Sequence, residues 1–408
     1  HFIQAAHGRC LPEGMERAAM TSPKILVTHA GSLPRPAELA RLLVQRSQGA
    51  DVDKEQLRTL ARQATEDVVA RQIEAGIDIV NDGEQQREGF FRHVRHRMSG
   101  FGGVWKRYTS ADMLRYPSFQ QREAQTKPVG AVDRNLPPKA IGEIRYVDRD
   151  AVQEDCSTLR RALERYNRAD LPAFLTAPSP GIVASAMKNE FYDSQERYMA
   201  ALGDALRQEY EAIVNNGFTL QIDAPDIGLE QHKSFFGRPK SEFLSFVELV
   251  VETINRALES IPPERARMHV CWGNYEGPHD LDIPLREILP LIQKTKVGGF
   301  FFPFANGRHA HEYRELKPLA KTGHYVVAGV IDVLTNVIEH PEAVADRLER
   351  VASVLDDPSL VMAGTDCGFD TTAGGGRAVE EIVWAKLTAL AEGARIASSR
   401  LSRSASSR

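Results

Sequence analysis

Between residues 24 and 367, short runs of β-branched and aromatic residues alternate with longer segments whose apolar positions recur at helical spacing. The runs are KILVT (24–28), IDIV (77–80), AFLT (173–176), TLQID (219–223), MHVCW (268–272), GGFFFPFA (298–305), YVVAGVID (325–332) and LVMAGTDC (360–367). The intervening segments carry stripes that bury a single face: Leu57, Leu60, Ala64 and Val68; Phe243, Val247, Val250 and Ile254; Val344, Leu348, Val351 and Leu355. Gly76 and Gly217 fall where left-handed caps would end two of these helices. Eight strand and helix repeats that close on themselves predict an α/β fold, a (β/α)8 TIM barrel, spanning residues 21–395 as one unit. The Arg-rich stretch from about 88 to 170 fits no repeat and is expected to be an irregular insertion after strand two. Its basic cluster, with Arg87, Arg92, Arg95, Arg97, Lys106 and Arg107, reads either as a solvated surface or as an anion site.

Composition narrows the function classes. The chain has 408 residues, 42% hydrophobic and 26% charged, enough for a large core and too apolar for wholesale disorder. Lys plus Arg number 51 against 55 Asp plus Glu, and the net charge of -4 gives no global attraction to nucleic acid or to an anionic membrane. No apolar run approaches the roughly 20 residues of a membrane span. Four cysteines cannot build a disulfide scaffold, which points to a reducing, cytoplasmic setting and makes each one worth weighing. Residues 1–20 look like an appendage outside the fold, with Met20 a plausible native start. The Ser- and Arg-rich stretch 396–408 is expected to be a disordered tail.

Reactive side chains of a barrel enzyme gather at the C-terminal ends of the strands. Six candidates fall there: His29 after strand one, Glu84 after strand two, Asp223 ending strand four, His269 and Cys271 on strand five, and Cys367 ending strand eight. Strand side chains alternate with period two, so His269 and Cys271 can both face the barrel axis. Imidazole and thiolate are ligands zinc prefers, and Cys367 could supply a third across the mouth, leaving an open position of catalytic type. The competing reading makes the cysteines small buried hydrophobes and His269 a hydrogen-bonded core residue, and spacing alone does not decide. Glu84 and Asp223 are candidates for binding a substrate ammonium, ligating metal or carrying protons, or are turn and cap residues. Ser32 and Arg35 in GSLPRP could meet a carboxylate, and Asn274 in CWGN is a further candidate substrate contact. His279, His309 and His311 are expected on exposed loops, as reserve ligands.

Taken together, THAGSLPRP at 28, NDGE, LQID, HVCWGNYEGPH, FANGRHAHEY, GVID and GTDCGF at 364 resemble the cobalamin-independent methionine synthase family. The likeness is to its C-terminal catalytic barrel and its single-barrel relatives, epoxyalkane:coenzyme M transferase among them. The resemblance implies a zinc-dependent, cobalamin-free alkyltransferase that activates a small acceptor's thiol, such as homocysteine, for attack on an alkyl donor, with a methylfolate one candidate. It further implies zinc ligation by His269, Cys271 and Cys367, with Ser32, Glu84 and Asp223 around the acceptor. Two positions depart from the family pattern. Pro303 stands where relatives carry a Glu ligand, which predicts a formally neutral zinc site, more Lewis-acidic than theirs, with water, the acceptor thiolate, Glu276 or His311 in fourth place. Leu334 stands where methionine synthases carry a His near the donor. These departures keep two alternatives in view: thiol-driven opening of an epoxide or another activated alkyl donor, and a metal-free lyase or decarboxylase on the same barrel.

Overall fold

The computed structural model describes residues 24–126 and 130–406; the expected appendage at 1–20 lies outside them. Among the described residues nine strands form: β1 (Leu26–Val27), β2 (Phe101–Gly102), β3 (Lys139–Ala140), β4 (Phe174–Pro178), β5 (Thr219–Asp223), β6 (Ala266–His269), β7 (Gly299–Pro303), β8 (Tyr325–Ile331) and β9 (Val361–Thr365). Seven make one parallel sheet in the order β1-β9-β8-β7-β6-β5-β4, and β2 and β3 pair separately as an antiparallel ribbon. Residues 77–80 complete the ring. The Asp78 and Ile79 amides donate to Val27 O of β1, and Val80 bridges Ala173 in parallel beside β4. The expected second strand is thus present as a two-sided bridge and the (β/α)8 barrel closes through it.

The barrel interior is filled by Ala30, Ile79, Phe174, Phe301, Tyr325, Val327 and Met362. Arg267 is buried among them, its guanidinium 4.1 Å from the Phe174 ring centre and its Nε donating to Gln221 Oε1. The expected stripes point inward: Val247, Val250 and Ile254, and Val344, Leu348, Val351 and Leu355, are all buried. Gly76 and Gly217 take φ of +84° and +89° just past the helices Lys54–Glu74 and Gln195–Asn215. Among the described residues no helix is long and apolar enough to cross a membrane.

Three expectations are corrected. The 88–170 stretch is not wholly irregular, because Arg149–Arg165 is a helix with Val152, Cys156, Leu159, Ala162 and Leu163 buried, packed where a barrel repeat needs its crossover helix. Four of the six residues of its basic cluster are not on a solvated surface, while Arg95 is half-buried and Lys106 exposed. Arg87, Arg92, Arg97 and Arg107 are nearly fully buried, Arg97 pairing with Asp155 and Glu209 and Arg107 with Glu230. The stretch 396–406 is not a disordered tail either, since the helix Glu380–Ser406 runs through it. Ala397 is buried, the Ser398 and Ser402 hydroxyls donate to carbonyls four residues back, and Arg400 pairs with three carboxylates of the helix Pro341–Leu355.

Candidate active site

His269 closes β6, Cys271 follows two residues later and Cys367 lies two residues past β9. Strand pairing ends at His269, so Cys271 sits in the loop rather than on the strand, although the Val270 amide still donates to Phe301 O and keeps the segment extended. One donor atom from each of His269, Cys271 and Cys367 lies within 4.8 Å of the others. β9 is three strands from β6 in the ring, so Cys367 must reach in over the rim. Gly329 permits it, because a Cβ there would stand 2.8 Å from Asp366 Cα.

Second partners aim these groups. His269 Nδ1 is 3.1 Å from Asp223 Oδ1, while its Nε2 is buried with no hydrogen-bond partner. Burial works against a charge on His269, but the Asp223 contact and the nearby Cys271 sulfur outweigh it and raise its pKa. The hydrogen bond from Cys367, with His269 beside it, draws Cys271 toward thiolate, and the same contact pushes Cys367 well above the ordinary thiol value. Asp223 also accepts from Gln221 Nε2 at 2.8 Å.

Glu84 is fully buried at φ of +55°, a left-handed conformation that side chains rarely adopt. Its Oε1 accepts from Thr176 Oγ1 at 2.8 Å, and its Oε2 has no partner. Burial raises its pKa to about 7, with Arg87 opposing and Asp223 adding to the rise. Arg87 donates to both Thr176 O and Thr176 Oγ1, so this arginine braces the group that holds Glu84.

Ser32, Glu84, Asp223, His269, Cys271 and Cys367 line one cavity of about 230 Å³. The Ser32 hydroxyl is buried there without a partner. Asn274 also lines it, its Nδ2 donating to Gly368 O and so tying the Cys271 loop to the Cys367 loop. Lys106 and Lys233 line the same cavity, as does Arg107, whose charge is paired with Glu230. Burial lowers the Lys233 pKa to about 7. A second cavity of about 460 Å³ meets the first at Cys271 and Cys367 and is walled by Pro303, Asp332 and Leu334.

Other expectations change. Arg35 does not face the cavity: its guanidinium is consumed by Asp370 O, Asp370 Oδ2 and Glu84 O at 2.6–2.8 Å. His29 is turned away as well. Its Nε2 meets Gln72 Oε1 at 2.8 Å, its Nδ1 accepts from the Gly31 amide, and burial lowers its pKa to about 4. Both side chains position the loops that carry Ser32 and Glu84. Glu276 ion-pairs with Arg377 and His311 is exposed, and neither joins the Cys-His group. His309, expected on an exposed loop, is buried, and His279 is half-buried. Thr176, Gln221 and Gln72, which orient the candidate groups, carry no motif signal beyond their place beside them.

Residues 25–118 match the family described as cobalamin-independent synthase, catalytic domain. The chain is 25% identical over 373 residues to the uncharacterised protein YxjH of Bacillus subtilis, covering 88% of this chain and 91% of that one. It is 26% identical over 352 residues to a methionine synthase of Thermococcus kodakarensis, covering 86% and 88% of the two chains. In fold it is similar to a B12-independent methionine synthase from Shewanella sp. W3-18-1, solved in complex with selenomethionine. That likeness has a TM-score of 0.69 at 23% identity, over 93% of this chain and 99% of the other.

Proposed function

We propose that this chain, similar over residues 25–118 to the cobalamin-independent synthase catalytic domain and over most of its length to a methionine synthase, carries out alkyl transfer, most simply of methyl, to the thiol of a small homocysteine-like acceptor. The reading includes a zinc ion held by His269, Cys271 and Cys367. The observation that carries it is the His269 imidazole grouped with two sulfurs, its buried Nε2 unpartnered, on the cavity that also holds Ser32, Glu84 and Asp223. The donor set fits zinc: one imidazole nitrogen and two thiolates, with a vacancy of the kind catalytic sites keep. When bound, the ion would convert an incoming thiol, ordinarily only a few per cent thiolate at neutral pH, into a bound thiolate.

The protein's own groups supply orientation. Asp223 accepts from Nδ1 of His269 and thereby leaves Nε2 as the donor atom turned to the sulfurs. Glu84 and Asp223 bring two carboxylates to one side of the cavity and suit an acceptor's ammonium, while the free Ser32 hydroxyl suits its carboxylate. Lys106 and Lys233 suit a donor that carries carboxylates, such as a methylfolate. Pro303 in place of a carboxylate ligand leaves the set formally neutral with the dication, which favours a more Lewis-acidic site than a Glu-containing one. Cytoplasmic residence fits this chemistry, since free thiols persist in a reducing compartment.

A second reading, thiol-driven opening of an epoxide, is favoured by one observation. Pro303 and Leu334, at the positions where the resemblance implies a Glu ligand and a His near the donor, are apolar residues lining the cavity that Cys367 also lines. Homocysteine and coenzyme M assayed against methyl donors and epoxides separate the two. Methyl transfer to homocysteine supports the first reading, and turnover with epoxides alone replaces it with the second. Undiminished activity in Cys271→Ser and Cys367→Ser variants contradicts both and leaves metal-free lyase or decarboxylase chemistry.

A further inference from the structure

The loops after β6 and β7 meet in a buried cluster that the proposed reaction does not use. Asp282 is at its centre, with Oδ2 lying 2.8 Å from His279 Nδ1 and 2.8 Å from His309 Nε2. Its Oδ1 faces His232 Nδ1 at 3.6 Å, too far for a hydrogen bond, and both of these atoms are buried without any partner. His232 and His309 are 1% and 4% exposed and Asp282 5%, so water does not satisfy them.

The remaining imidazole nitrogens face oxygen atoms. His309 Nδ1 is 2.8 Å from Glu312 Oε2, His279 Nε2 is 3.0 Å from Tyr275 O, and His232 Nε2 is 3.4 Å from the Tyr275 hydroxyl. Metal-bound histidines show this arrangement, one nitrogen on the ion and the other on an oxygen that fixes the ring. Donors of a tetrahedral zinc site, bound at about 2.0–2.1 Å, stand about 3.3–3.4 Å apart, a spacing bracketed by the contacts around Asp282. Donor atoms of His279, Asp282 and His309 all lie within 4.8 Å of one another, and His232 Nδ1 stands beside them, 3.6 Å from Asp282 Oδ1.

We propose that His232, His279, Asp282 and His309 form a second metal site, for a divalent first-row transition ion such as zinc, separate from the Cys-His group. Four protein donors leave no vacancy, so the role is structural. The ion would pin the loop carrying His279 and Asp282 to the one carrying His309. Through the stacking of His309 on Trp272, with ring centres 4.1 Å apart, it would steady the residue next to Cys271.

Metal content of the zinc-loaded, dialysed full chain tests the site. Two equivalents are expected in the wild type and one in the Cys271→Ser, Cys367→Ser double variant. A double variant that holds no tightly bound metal overturns the proposal and leaves the Cys-His reading intact. Metal content unchanged by the double substitution overturns the Cys-His reading alone. Cobalt loading of the His279→Gln variant guards against misfolding. One equivalent should be lost with the thiolate-to-cobalt charge-transfer band at full intensity, and retention of both equivalents or loss of that band contradicts the second site.

Discussion

Nδ1 of His269 lies 3.1 Å from Asp223 Oδ1, and this contact decides which nitrogen of the ring faces Cys271 and Cys367. The carboxylate fixes the tautomer and makes the imidazole a better donor. Asp223→Asn keeps an acceptor oxygen but removes the charge, so zinc affinity should fall by about 10- to 100-fold with the fold unchanged. Competition against a chromophoric chelator measures this. Equal affinity in the variant would mean that Asp223 contributes nothing to the donor set.

Glu84 combines a left-handed backbone, a buried carboxyl and an unpartnered oxygen. With its pKa raised from 4.5 to about 7, its burial penalty is absent below about pH 4.5 and full above about pH 7. Glu84→Gln should therefore stabilise the protein at pH 8, by up to about 3 kcal/mol, and leave it unchanged near pH 4.5. The same variant should raise the acceptor's KM, and wild-type kcat/KM should fall as pH drops through 7 and Glu84 takes a proton. Melting curves at the two pH values and a pH-rate profile check both halves.

The barrel was readable because its strands are short apolar runs with reactive residues at their C-terminal ends; that placement made His269, Cys271 and Cys367 candidates, and their joint ligation came only from the family resemblance. The helix Arg149–Arg165 carries Val152, Cys156, Leu159 and Leu163 at helical spacing, but the charged residues crowded around that stripe drew the stretch into the irregular insertion. The burial of Arg87 and Arg97 was hidden for a related reason. Their partners, among them Glu209 and Asp155, lie up to 112 residues away, and local charge density says nothing about pairing across a fold. Arg35 is the extreme case, with Asp370 335 residues distant. Helix continuation through 396–406 depends on Ser hydroxyls that bond their own helix and on Arg400 reaching a neighbouring one, which composition reads as disorder.

Arg35 joins Asp370 to the Glu84 carbonyl in a contact from which water is excluded. Arg35→Ala would leave a buried carboxylate unpaired and should destabilise the protein by about 3–5 kcal/mol. Arg35→Lys, lacking the planar fork, should recover only part of this. Denaturant unfolding of the two variants measures it, and a loss under about 1 kcal/mol for Arg35→Ala would mean that the loop is held elsewhere.

Ser32 owes its position to Gly368, where a Cβ would stand 2.0 Å from the hydroxyl. Gly368→Ala should displace Ser32 and raise the acceptor's KM at least as far as Ser32→Ala, about tenfold for one lost hydrogen bond to a charged group. Steady-state kinetics of both variants checks the order. A Gly368→Ala enzyme with wild-type KM would show that Ser32 does not touch the acceptor.

Zinc-edge X-ray absorption, recorded with and without homocysteine, addresses the central claim most directly. To separate the Cys-His site from the second cluster, the sample is the His279→Gln variant loaded with one equivalent. The expected free spectrum has two sulfur scatterers and one imidazole, and homocysteine adds a third sulfur at the zinc distance of about 2.3 Å. A first shell without sulfur, or one that homocysteine leaves unchanged, contradicts activation of the acceptor's thiol at His269, Cys271 and Cys367.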